Sequence, residues 1–213
     1  MSKSIAKIVL LFAVSFVFLV HPTLAEEQKI LTYENTAMGI KFSGPLGWYM
    51  NSGKEIQERT VKTMSDMTNL EVVKEAIKKV GLLVSFTQYP YGSPREFNPN
   101  ITLATEPFKP EYKETLKGPL DYANASVVTL KTMLKDFKII KEPVLKSIGG
   151  SECATLTYDG TIVYGYLEIK LRFIAYIFMK DDLIYTLSFT DKADNFNNNV
   201  EAFNGSLKTF TLK

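Results

Sequence analysis

The stretch from Gly165 to Thr190 limits what this chain can become more than any other. It reads as two long strands joined by a tight turn at Lys180-Asp181-Asp182. In the second strand Leu183, Tyr185, Leu187 and Phe189 alternate with Ile184, Thr186 and Ser188, a period of two with one apolar face. The first strand changes character halfway. Glu168, Lys170 and Arg172 alternate with Ile169, Leu171 and Phe173, whereas Ile174 to Met179 is apolar on both faces. A strand that is apolar on both faces is covered on both sides, and one with a charged face is open there or lines a crevice. The rest of the chain has to roof one end of this hairpin on both sides and leave a face of the other end to water or to a ligand.

The material for those roofs can be read in chain order. Ile30 to Tyr33 and Gly39 to Phe42 are short strands around a turn at Glu34-Asn35-Thr36, and the Gly-Pro break at 43–47 turns the only tryptophan, Trp48, back onto the core. Two capping boxes, Ser52-x-x-Glu55 and Thr68-x-x-Glu71, open two helices. Ile56, Met64 and Met67 mark the apolar face of the first; Leu70, Val73, Ile77 and Val80 mark that of the second, which Gly81 closes as a C-cap. Leu82 to Tyr89 is a strand, Pro90 to Asn100 a long irregular loop, and Ile101 to Thr105 a strand. Asp121 to Lys135 is a helix with Tyr122, Ser126, Leu130 and Met133 inward and Asn124, Lys131 and Lys135 outward. Phe137 to Lys141 and Val144 to Ile148 are short strands, Gly149-Gly150 a hairpin turn, and Glu152 to Tyr158 the return strand. Asp194 caps a last helix whose stripe is Phe196, Val200, Phe203 and Leu207, and Thr209 to Leu212 ends the chain as a strand. With no repeat and no dividing linker, this is one α+β domain, an antiparallel sheet packed between helices.

The first 25 residues stand apart. Lys3 and Lys7 precede an apolar run from Ile8 to Val20, and Thr23-Leu24-Ala25 is a small-x-Ala site, the pattern of a cleaved signal peptide. That places residues 26–213 outside the cytoplasm, in a bacterial periplasm or secreted, with no transmembrane span once the leader is gone. The leader holds two of the 25 Lys and Arg side chains and none of the 23 Asp and Glu, so the remainder carries 23 of each sign. A neutral chain has little general attraction for nucleic acid. The one histidine, His21, leaves with the leader. Without imidazole, a Ser-His-Asp or Cys-His centre and His-ligated zinc or haem are excluded within one mature chain.

Other chemistries are also thinly supplied. No glycine-rich phosphate loop lies between a strand and a helix, and no cofactor is implied. Asp181-Asp182 suits a hairpin turn, and the acidic-amide run from Asp191 to Asn199 lacks the glycine and bidentate glutamate of a calcium loop. Cys153, the single cysteine, reads as a small buried hydrophobe in a strand.

The order of these pieces resembles the PsbP-like proteins and their bacterial DcrB-like and LpqN-like relatives of unknown function. The pieces are GIKFSGPLGW, FNPNITLATEP, YANASVVTLKTML, KSIGGSECATLTY, and DDLIYTLSFT followed by NNNVEAFNGSLKTFTL, and the resemblance covers roughly residues 30–213. The resemblance implies an α/β/α sandwich around an antiparallel sheet. Members of that family include a lumenal photosystem subunit and a nuclear Ran-binding factor, and neither role transfers on fold alone.

Two binding candidates follow from the residues. One is the charged half of the organising strand, Glu168, Lys170 and Arg172, preceded by Tyr164 and Tyr166; the other is the long loop with Tyr91, Arg95 and Phe97. The reading that joins them to export is a non-enzymatic domain that binds a partner protein in the cell envelope. The alternatives are a carrier of a small molecule or lipid, and an enzyme relying on carboxylates or a Ser-Lys pair. The leader is testable directly: the intact mass of the exported protein is expected to match a chain beginning at Glu26, and a mass that retains Met1 would refute cleavage.

Overall fold

A computed structural model describes residues 29–58, 81–93, 97–164 and 167–213. The leader, the helical stripes expected between 59 and 80, Arg95, and the Gly165-Tyr166 pair lie outside the described residues. The capping box at the start of the first expected helix is formed. Ser52 Oγ accepts from the Glu55 backbone N–H at 3.3 Å while Glu55 Oε2 accepts from the Ser52 backbone N–H at 3.0 Å, and residues 53–58 are helical.

Among the described residues seven strands form one fully antiparallel sheet. They are β3 (Tyr49–Ser52), β4 (Gly81–Thr87), β5 (Asn100–Pro107), β6 (Lys135–Ile148), β7 (Ser151–Tyr164), β8 (Leu167–Lys180) and β9 (Leu183–Lys192). Their order across the sheet is β3-β4-β5-β9-β8-β7-β6. A smaller sheet of three strands, in the order β1-β2-β10, is built from β1 (Thr32–Asn35), β2 (Ile40–Ser43) and β10 (Thr211–Leu212). Helix α1 is Pro119–Met133 and helix α2 is Phe196–Lys208.

The organising hairpin is present as expected. Its turn is the two residues Asp181 and Asp182, both left-handed with φ of 51° and 58°, the type I′ geometry that matches strand twist. Along β8, Phe173, Ala175 and Ile177 face one core and Tyr176 and Phe178 face the other. The first core is roofed by α1, through Tyr122, Ala123, Val127 and Leu130. The second is roofed by α2 together with the small sheet: Phe203 stacks on Phe189 at 5.2 Å and meets Trp48 edge-on at 5.9 Å, while Phe210 stacks on Phe178 at 4.9 Å. One roof is therefore a helix and the other is a helix beside a three-stranded sheet.

Several local expectations are corrected. The two short strands expected at 137–148 are one strand, β6. It stands at the sheet edge, where Pro143 removes no ladder bond, and register shifts on either side of Lys141 absorb its extra residues. Strand β7 runs on past Asp159-Gly160 to Tyr164, because Gly160 lets Leu134 pack where a Cβ would stand 2.8 Å from its Cδ1. Gly81 begins β4. Asp194 is not the cap of α2; Asn195 occupies that position, without a side-chain cap bond. Lys135 belongs to β6, and Met133 is exposed at the end of α1.

The Gly149-Gly150 turn forms as expected, and its two glycines are not equivalent. Both have positive φ, but a Cβ on Gly149 would meet the Phe210 carbonyl oxygen at 2.2 Å, whereas Gly150 faces open space. Gly149→Ala is expected to destabilise the fold by about 2 kcal/mol or more and Gly150→Ala by about 1 kcal/mol. Urea denaturation of the two variants would expose an equal loss, which would contradict this packing.

Candidate functional site

Helix α1 packs over β6, β7 and β8 on one face of the sheet, and α2 packs over β9 and β2 on the other. Among the described residues no element packs over the reverse face of β6–β8 for much of its length, where several side chains are exposed. Strand register identifies them. Lys135 lies across from Thr161 and Lys170; Lys138 from Asp159 and Arg172; Lys141 from Thr157 and Ile174; Val144 from Thr155 and Tyr176. Lys135, Lys138, Lys141 and Lys170 are all exposed, and Val144 and Val163 on this face are about half exposed, at 47% and 50%. The middle strand contributes small hydroxyls, Thr155, Thr157 and Thr161, each shaded to 7% by longer neighbours. The result is a trough with a threonine floor and two cationic walls, roughly 10 Å apart from the spacing of alternate strands.

Arg172 is fixed within one wall. Its Nε donates to Asp159 Oδ1 at 2.7 Å and its Nη2 to Oδ2 at 2.9 Å, the two-pronged geometry that strengthens a guanidinium–carboxylate bond. Asp159 is 3% exposed, so the pair holds a buried charge, and it raises the Arg172 pKa further above its ordinary value. The guanidinium also lies 6.0 Å from the Phe196 ring. At the opposite end Glu168 accepts from Lys135 Nζ at 2.7 Å, an exposed pair of small energetic value. Lys138, Lys141, Lys146 and Lys170 take part in none of the ion pairs found among the described residues.

The expected binding face is therefore partly assembled. Glu168, Lys170 and Arg172 share one face; the Tyr164 backbone pairs with Leu167 at the hairpin end, and Tyr166 falls outside the described residues. The lysines of β6 belong to the same surface, and reading β6 as two short strands hid them. Of the expected loop, Tyr91 is half-buried and Phe97 is 5% exposed, a member of the first core.

Phe97 also borders a cavity of about 520 Å³ at the ends of β4, β5 and β9. Its other wall is the connection from β9 into α2. There Asp191 is 1% exposed; Oδ1 accepts from the Lys192 N–H at 2.7 Å, and Oδ2 from Asn199 Nδ2 at 2.7 Å and Asn195 Nδ2 at 2.9 Å. Burial raises its pKa most, those hydrogen bonds oppose the rise, and the neighbouring Asp194 adds to it. Asp191 is the register partner of Arg172, so the cavity and the trough meet along one cross-strand row.

Among the described residues no group of three His, Cys, Asp or Glu side chains is placed to hold a metal ion, and no helix is long and apolar enough to cross a membrane. Cys153 is fully buried and its thiol is pushed up to about 11, a poor nucleophile. A second raised carboxyl, Glu106, is pushed up to about 8 by burial, against the attraction of Lys109. It pairs with Ile184 at the far end of β5 from the cavity, so the two shifted carboxyls do not share a cleft.

The fold matches that of known proteins. No protein-family model and no curated protein matches the sequence. Among solved structures, the solution structure of cyanobacterial PsbP (CyanoP) from Synechocystis sp. PCC 6803 is similar over 92% of this chain and 99% of its own, with a TM-score of 0.53 at 13% identity. Weaker similarities reach PA94 from Pseudomonas aeruginosa, a protein of unknown function and putative regulator (63% of this chain, 83% of that one, TM-score 0.45, 13% identity). They also reach LpqN of Mycobacterium tuberculosis, involved in cell envelope biogenesis (63% and 79%, TM-score 0.42, 13% identity). The chain has the PsbP-like α+β fold that the order of its motifs resembles.

Glu106 supplies a pH test. Because its folded pKa lies above the ordinary carboxylate value, the folded state holds the proton more tightly than the unfolded state between about pH 4.5 and 8. Stability attributable to this group falls as pH rises through that window and is level above it. Glu106→Gln is expected to match the parent at pH 4 and to exceed it at pH 9 by on the order of 3 kcal/mol. Urea midpoints that separate equally at both pH values would rule this out.

Proposed function

We propose that this chain is an exported, non-enzymatic domain that holds an acidic partner protein of the cell envelope against the uncovered face of β6–β8. The observation that carries the reading is the trough itself: Lys138, Lys141 and Lys170 are exposed around a threonine floor and are unneutralised by the carboxylates nearby, which Arg172 and Lys135 already engage. Unpaired cations at fixed spacing steer and orient an anionic partner more than they stabilise the fold. The half-exposed Val144 and Val163 supply the apolar contact that a protein interface needs beside its charges. Nucleic acid fits less well. The mature chain is balanced in charge, and Tyr176, the aromatic register partner on this face, is only 6% exposed and has no free ring surface for base stacking. The separation of Glu106 from Asp191 supports a binding role over acid–base chemistry, which brings its titrating groups together.

Carbodiimide coupling, which joins a lysine amine directly to a carboxylate in contact with it, tests this in envelope extract. The expected product is a defined adduct with its links at Lys138, Lys141 or Lys170. Adduct yield should drop about tenfold in a Lys138→Glu, Lys141→Glu, Lys170→Glu variant and fall steeply between 0.05 and 0.5 M salt (roughly, from Debye screening). These side chains are exposed and form no ion pair among the described residues, so the variant should keep the parental circular dichroism. An adduct that persists unchanged in the variant would overturn the assignment of this face.

A further inference from the structure

The cavity at the strand ends is independent of the trough's partner and has its own chemistry. Its two walls are held before any ligand arrives. The loop wall is closed at its base by the Gln88 N–H to the Pro99 carbonyl at 3.0 Å. Asn98 locks the next residue, accepting from the Tyr89 N–H at 3.0 Å and donating to the Tyr89 carbonyl at 2.9 Å. The helix wall is held by the three hydrogen bonds to Asp191. Asn199 ties the walls together, donating to Asp191 at 2.7 Å and reaching Gln88 Oε1 at 3.5 Å. A preformed cavity of about 520 Å³ lies within the range of small-molecule sites.

The lining selects the ligand. Among the described residues, Tyr89 and Phe97 give it two aromatic rings, Gln88 and Asn195 two amides, and Asp191 and Asp194 two carboxylates, with Lys192 as the one cation of that described lining. An excess of negative charge beside aromatic rings favours a cation. Two carboxylates close enough to repel each other gain further when a positive charge enters. An inorganic cation is poorly served, because three hydrogen bonds already occupy most of the lone pairs of Asp191. An organic ammonium needs only one accessible carboxylate, and Asp194 is exposed on this wall with no hydrogen bond or ion pair among the described residues.

We propose that this cavity binds a small organic ammonium compound, an amine or an amino acid. Its charged nitrogen meets Asp194 and the rings of Tyr89 and Phe97, and its polar end meets Gln88 and Asn195. The site does not depend on the partner-binding reading. Loss of the trough lysines leaves it intact, and loss of Asp194 leaves the trough intact.

The experiment is a titration of the isotopically labelled, signal-free chain followed by amide chemical shifts. The probes are putrescine, L-lysine and glycine betaine, with 1,4-butanediol as the uncharged counterpart of putrescine and calcium chloride as the inorganic cation. At least one ammonium probe is expected to give saturable shifts at Tyr89, Phe97, Asp194 and Asn195, with butanediol silent at the same concentration. Asp194→Asn should weaken that probe by about tenfold. Its amide spectrum should otherwise match the parent, since Asp194 forms no hydrogen bond or ion pair among the described residues. Silence from all three ammonium probes would overturn the proposal. So would equal binding of butanediol, full competition by calcium, or an Asp194→Asn variant that binds as the parent does.

Discussion

The antiparallel ladder that β8 makes with β7 on one side and β9 on the other is the interaction on which the rest of this structure depends. Twelve register pairs run from Cys153↔Phe178 to Tyr164↔Leu167, and ten from Leu171↔Lys192 to Lys180↔Leu183. Because side chains alternate across a strand, this ladder delivers Phe173, Ala175 and Ile177 to one core and Tyr176 and Phe178 to the other. Both roofs, α1 below and α2 with the small sheet above, are positioned by the apolar rows that β8 presents. A slip of one residue would send each row to the wrong core.

The same ladder explains why the molecule has an uncovered face. The C-terminal half of β8 is apolar on both faces and is roofed on both; its N-terminal half carries Glu168, Lys170 and Arg172 and, among the described residues, is roofed by α1 alone. The boundary falls at Arg172. Its fork holds Asp159, which would otherwise be a buried carboxylate without a counter-charge, while its edge approaches Phe196 at the start of α2. An ion pair in this position does little for stability relative to an apolar pair of similar volume. What it does is end the second core at a defined row, and that row also bears Asp191 at the rim of the strand-end cavity. The trough follows from one change in the sequence of one strand, and the cavity adjoins it at the Arg172–Asp191 row.

How far this could be read without coordinates differs from element to element. The β8–β9 hairpin, its Asp181-Asp182 turn, the Gly149-Gly150 turn, the inward Trp48 and the α2 stripe were legible because each is a short-range pattern: a period, a turn dipeptide, or a heptad-like spacing. The single strand β6 was not legible, because Pro143 ends strands in most settings and is tolerated here only by virtue of the edge position, which no local pattern records. The run of β7 through Asp159-Gly160 was hidden for a similar reason. Asp-Gly is a turn signal, overridden here by the Arg172 pair on one side and the Leu134 contact on the other. Missing the full lengths of β6 and β7 meant missing the lysine wall and the threonine floor, although Lys170 and Arg172 were already candidates.

The sequence alone determined the architecture class, the organising hairpin, the absence of imidazole chemistry from residues 26–213, and the place along β8 where the core stops. These depend on which residues are present and on the two-residue period of a strand. Only the tertiary structure decided which strands stand beside one another, and therefore which charges share a face. Lys138 and Lys170 are 32 positions apart in the chain and come to the same wall-and-floor surface through Asp159, Thr161 and Arg172. The strand-end cavity likewise joins residues near 88–99 with residues near 191–195. Side-chain alternation is a local property that a sequence carries in full, whereas strand order is chosen by the burial of both sheet faces at once, and that choice is made by the whole chain.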